Sequence, residues 1–231
     1  MDKIGEIKAG IYGSQEGNKM PEKQKTAVKI CGLTRTEDMA YVNEMKPEYI
    51  GFVFWQKSKR AVNIAQARKL KHKLDPDIQA VGVFVNEDPE RIIELLKQDI
   101  IDIAQLHGEE SEEQIQRIRL ETGKPVIRAI KIKGKEDIAN QIEKLNTEAD
   151  YLLIDSGMGS GETFDWDIMG AMPKIEKPFF LAGGLNPDNV QEAIRQIHPY
   201  GVDVSSGVET DGKKDREKIE KIIRRVRNEQ R

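Results

Sequence analysis

The sequence predicts a single (β/α)8 barrel of the α/β class, a TIM barrel, on three observations. Apolar, β-branched runs begin near residues 27, 49, 78, 100, 125, 150, 178 and 201, at steps of 22 to 29 residues, the length of one strand plus one helix. Helical periodicity fills the intervals, as in Pro89-Glu90-Arg91-Ile92-Ile93-Glu94-Leu95-Leu96, with Asp88 as N-cap and proline at the first helical position. The units number eight, which closes a parallel sheet on itself when every crossover is right-handed. An open doubly wound sheet would announce a dinucleotide site by G-x-G-x-x-G after the first strand. Here the first strand ends in Cys31-Gly32-Leu33-Thr34 instead.

The chain of 231 residues suits one such barrel. Its 33% charged residues belong on helix faces, and 37 basic against 40 acidic side chains, interspersed, give a net charge of −3. Without a basic stripe, no nucleic-acid partner is expected. One cysteine precludes an internal disulfide, and no apolar segment reads as a signal peptide or membrane span. A cytoplasmic protein is the expectation. His72, His107 and His198 are scattered without metal-ligand spacing, so no structural metal is expected.

Taken in order, residues 1–25 show neither period and are rich in Gly, Lys, Glu and Gln, which predicts a flexible extension ahead of a barrel domain over 26–231. Ala27 to Ile30 forms the first strand and delivers the lone Cys31 to a loop. Cys31 reads either as a small buried hydrophobe or, beside Lys29, as a thiol able to act as base or nucleophile. Lys57-Ser58-Lys59-Arg60 follows the second strand, and Arg60 is either solvated or a fork for a planar carboxylate. His107 ends the fourth strand, before Gly108. Asp155 closes Tyr151-Leu152-Leu153-Ile154; it is a turn-former or, in apolar surroundings, a proton donor near neutral pH. Gly157-Met158-Gly159-Ser160-Gly161 reads as a mobile loop. The last two strands end in Gly183-Gly184 and in Ser205-Ser206-Gly207, where barrels commonly bind phosphate. All these residues sit at C-terminal strand ends, where barrels carry their active sites, so a phosphorylated small molecule is the expected ligand.

From about Val28 onward the chain resembles the phosphoribosylanthranilate isomerase family of tryptophan biosynthesis. The likeness rests on KICGLT at 29–34, GFVF at 51–54 with KSKR at 57–60, QLHG at 105–108, LLID at 152–155, GSGETFDW at 159–166, LAGGL at 181–185 and VDVSSGVE at 202–209. The resemblance implies an Amadori rearrangement needing neither cofactor nor metal; the sequence leaves monomer and homodimer both open. It implies Asp155 as general acid and Cys31 as general base, with Arg60 on the anthranilate carboxylate. Gly183, Gly184, Asp203, Ser205, Ser206, Gly207 and His107 complete the implied substrate site. The related histidine-pathway sugar isomerase, which carries aspartate in place of Cys31, and a non-catalytic phosphosugar-binding protein on the same scaffold are the competing readings.

Overall fold

A computed structural model describes residues 25–132, 134–155 and 172–229. Eight parallel strands pair in sequence order and close, the last lying against the first. They are β1 (Ala27–Cys31), β2 (Tyr49–Val53), β3 (Gln79–Phe84), β4 (Ile103–Leu106), β5 (Val126–Lys131), β6 (Tyr151–Asp155), β7 (Phe179–Ala182) and β8 (Gly201–Val204). The barrel read from the sequence is therefore the barrel found. The expected extension, apart from Lys25, and the glycine-rich segment 157–161 lie outside the described residues, as does the GSGETFDW motif.

Strands start within a residue of the apolar runs except the fourth. Ile100 and Ile101 open that run, yet they are buried in the outer core ahead of β4. Pairing is set by Asp102, whose N–H donates to the Ala80 carbonyl at 2.7 Å while its carboxylate accepts from the Ala80 N–H at 2.7 Å. An apolar run marks burial, and burial begins before the strand does.

Around the barrel lie α1 (Thr36–Met45), α2 (Ile64–Lys71), α3 (Pro89–Lys97), α4 (Glu112–Thr122), α5 (Lys135–Gln141), α6 (Val190–Ile197) and α7 (Arg216–Glu229). Their starts follow from local chemistry. Asp88 accepts from the Glu90 N–H at 3.0 Å, and Ser111 forms a capping box with Gln114. Gly123, at φ 64°, ends α4 in the left-handed conformation that glycine adopts without strain.

Side chains alternate along a strand, so residue parity decides which face each one takes. Even positions such as Val28, Ile30, Ile50, Phe52, Ala104 and Val202 pack outward into the helical layer. Odd positions, Ala27, Tyr49, Val81, Ile103, Ile127 and Leu153 among them, fill the lumen, joined by Phe180 and Ala182 from β7. The lower lumen is closed by aromatic rings: Tyr49 and Tyr200 share a hydrogen bond at 2.8 Å, and Phe180 meets both edge-on, 5.3 Å between centroids in each case. One end of the barrel is thus plugged, and polar side chains collect at the other.

Candidate active site

Parity also selects the site. Cys31 ends β1, Asp155 ends β6, and His107 and Ser205 lie one residue beyond β4 and β8. All are odd positions and all belong to the C-terminal mouth. One layer below, on the same face, lie Lys29, Gln105 and Asp203.

Cys31 is buried, and its position depends on a missing side chain opposite. A Cβ on Gly51 would stand 2.6 Å from the Cys31 Sγ, so only glycine at 51 leaves room for the thiol. The Gly51 carbonyl accepts from the N–H groups of Gly32 and Leu33 at 2.9 and 3.1 Å, which turns the chain outward immediately after the cysteine. Beneath it, Lys29 is fully buried and donates to Asp203 at 3.0 Å. Burial alone would favour neutral Lys29, but the Asp203 charge, with that of Cys31, outweighs it and raises the lysine pKa. Burial pushes the Cys31 thiol up, against the pull of Lys29 and Lys214. The thiolate therefore has cations placed to receive it and forms above the ordinary thiol pKa.

Asp155 meets His107 across the mouth, with His107 Nε2 at 3.2 Å from the carboxylate. The other ring nitrogen, Nδ1, lies 3.0 Å from Gln105 Nε2. The ring is thus held between Gln105 on one nitrogen and Asp155 on the other. The resemblance implied His107 in the substrate site; the fold sets its ring against the Asp155 carboxylate.

Arg60 holds a planar carboxylate, that of Glu209, through Nε at 2.6 Å and Nη2 at 2.7 Å. Glu209 opens a small antiparallel hairpin of β9 (Glu209–Thr210) and β10 (Lys213–Lys214). The buried Lys214 ammonium donates to Glu209 at 2.7 Å and to the Ser205 carbonyl at 3.0 Å. Burial would raise the Glu209 carboxyl, yet hydrogen bonds and charge from Arg60 and Lys214 hold it down at about 2. Arg35, bound to the buried Asp38, donates to the Lys214 carbonyl at 2.8 Å and so ties the hairpin to the loop after β1.

The two terminal loops are packed backbone to backbone. Gly183 and Gly184 have φ of 99° and 64°, open to glycine without strain. The Gly184 carbonyl accepts from the side-chain amides of Asn186 and Asn189 at 3.3 and 3.0 Å. A Cβ on Gly207 would run into the Leu185 carbonyl. Ser205 Oγ donates to the Cys31 carbonyl at 3.1 Å, joining the eighth loop to the first, and Ser206 is exposed at the mouth.

Sequence reasoning singled out Cys31, Asp155, Arg60, His107 and the two terminal loops, and the fold places all of them at one end of the barrel. Asp203 lies lower, paired with Lys29. Missed were the supports: Gln105, Glu209 and Lys214. The period-two rule gave a signal for Gln105, which shares parity with His107. Nothing local marks Lys214 as buried.

Among known proteins, a model of the family described as N-(5'phosphoribosyl)anthranilate (PRA) isomerase matches residues 28–225. A protein named N-(5'-phosphoribosyl)anthranilate isomerase, from Thermoanaerobacter sp. (strain X514), is 46% identical over 202 residues, covering 87% of this chain and 97% of the relative. The solved phosphoribosyl anthranilate isomerase from Thermotoga maritima is similar at 36% identity with a TM-score of 0.77, over 88% of this chain and 99% of that one. A solved isomerase of the same name, in complex with reduced 1-(o-carboxyphenylamino)-1-deoxyribulose 5-phosphate, has a TM-score of 0.74 at 36% identity, with 88% and 99% covered.

Proposed function

The chain belongs to the N-(5'-phosphoribosyl)anthranilate isomerase family, and from that premise we propose how its own residues carry out the reaction. The activity is isomerisation of N-(5-phosphoribosyl)anthranilate to 1-(2-carboxyphenylamino)-1-deoxyribulose 5-phosphate in tryptophan biosynthesis. Asp155 acts as general acid and protonates the ribose ring oxygen as the bond from that oxygen to C1′ breaks. The nitrogen lone pair moves into a C1′=N bond, giving a protonated Schiff base. Cys31, as thiolate, removes the C2′ proton, and the electrons of that C–H bond neutralise the nitrogen. The enol so formed takes up a proton at C1′ and releases the proton of its C2′ hydroxyl, which gives the ketone at C2′. Hydride acceptors are not required, since oxidation at C2′ balances reduction at C1′.

The observation that carries this reading is the placement of Cys31 on β1 and Asp155 on β6, with β7 and β8 between them on the shorter way round the barrel. Acid and base thus approach a sugar at the mouth from different sides. His107, facing Asp155, steadies the carboxylate left after proton donation. Lys29 and Lys214 face the Cys31 thiolate. Arg60 holds the anthranilate carboxylate, and Gly183, Gly184, Ser205, Ser206 and Gly207 surround the phosphate, while Asp203 acts from below by keeping Lys29 charged. The reading extends to a cytoplasmic enzyme, a compartment where a lone reduced thiol persists, working as a monomer or homodimer.

The test is loss of anthranilate-substrate fluorescence on adding the purified protein, with inorganic phosphate as competitor. Turnover inhibited competitively by phosphate is the expected result. Turnover without phosphate competition would move the phosphate site elsewhere, and no turnover would overturn the reading.

A further inference from the structure

We propose that Glu209 is a positioning residue for substrate specificity: it grips one edge of the Arg60 guanidinium so that the other edge faces the carboxylate on the substrate's aromatic ring. This rests on the reading of Arg60 as the group that binds that carboxylate. A guanidinium carries five N–H donors in a rigid plane. Glu209 takes Nε and one hydrogen of Nη2, at 2.6 and 2.7 Å. The end-on edge, made of Nη1 and the second Nη2 hydrogen, is a second fork of the same geometry. Arg60 can hold two carboxylates at once, and the fixed one aims the fork offered to the other.

Accessibility falls in order along the triad: 19% for the Arg60 side chain, 6% for Glu209 and 1% for Lys214. The carboxylate that aims Arg60 is therefore itself held from below by a buried ammonium. Its hairpin is pinned independently, through Lys218 Nζ on the Glu209 carbonyl at 2.7 Å and the Asp215 N–H on the Val208 carbonyl at 2.9 Å. On its other flank the Arg60 stem presses on Gly32, where a Cβ would collide with Cδ. Two cations and one anion leave the triad with a single positive charge. Removing the Glu209 charge takes away the anion between Arg60 and Lys214 and leaves both cations. No positive charge offered to substrate is lost, so a rise in KM reports lost orientation.

Kinetics on N-(5-phosphoribosyl)anthranilate and on the same compound without its carboxylate, N-(5-phosphoribosyl)aniline, separate these effects. Glu209→Gln is expected to raise KM for the carboxylated substrate about tenfold or more, the scale of a charged hydrogen bond, with kcat moving far less. KM for the aniline compound should stay at its wild-type value. In Arg60→Ala, adding Glu209→Gln should cost nothing further, because Glu209 acts through Arg60. Glu209→Asp keeps the charge with a shorter reach and should show the same pattern more weakly, which covers the case of a misfolded Gln variant. An unchanged or lower KM in Glu209→Gln, an equal rise for both substrates, or additive losses would overturn the proposal while leaving Arg60 in its role. An unchanged KM in Arg60→Ala would overturn both.

Discussion

At Asp155, the proposed general acid, the histidine contact supplies a defined partner. Asp155→Asn keeps the shape of the side chain and removes the transferable proton, so kcat should fall by about 10²–10⁴-fold, the usual range for a general acid, with KM moving far less. Steady-state kinetics check this; a variant losing KM and kcat together would make Asp155 a binding residue. Glu209 makes a second expectation, on stability. Its carboxyl titrates at about 2 in the fold against an ordinary 4.5, so its contribution is fully present above pH 4.5 and is lost as pH falls toward 2. The stability difference between wild type and Glu209→Gln in denaturant titrations should therefore shrink across that window. A difference that stays constant would show that the carboxyl is not held down by Arg60 and Lys214.

Between elements, the sensitive point is the contact of the β7 and β8 loops. Gly207→Ala drives a methyl group into the Leu185 carbonyl, so the two loops must separate. Phosphate should then inhibit more weakly and KM should rise, while the barrel still folds; unchanged phosphate inhibition would show that the loops do not act together. This level was also the most unevenly legible from sequence. Period-two alternation and helix caps placed seven strands to within a residue, because burial and capping are local properties of the chain. The start of β4 was misplaced because Ile100 and Ile101 are buried before the strand begins. The partners of Arg60 and Asp155 could not be read, since Arg60 reaches Glu209 across 149 positions and only barrel closure brings them together.

For the whole molecule, β1 starts at Ala27 and pairs with β2 and β8 on its two sides, and the family match begins at 28. Deleting residues 1–24 should leave activity and Tm nearly unchanged; a loss of several degrees would show that the barrel needs them. In the proposed mechanism the barrel brings a buried thiol and a carboxylate from strands remote in sequence to one sugar. Burial raises the Cys31 thiol, so turnover should increase with pH until the thiolate predominates. The most direct test is fluorescence-monitored turnover of saturating N-(5-phosphoribosyl)anthranilate by wild type and Cys31→Ser, across that pH range. Serine fits the space beside Gly51 but is far too weak a base, so the variant should fold normally, turn over about a hundredfold or more slowly, and lose the thiol's pH dependence. A Cys31→Ser enzyme with near wild-type kcat and an unchanged pH profile would contradict the assignment of the base and the mechanism built on it.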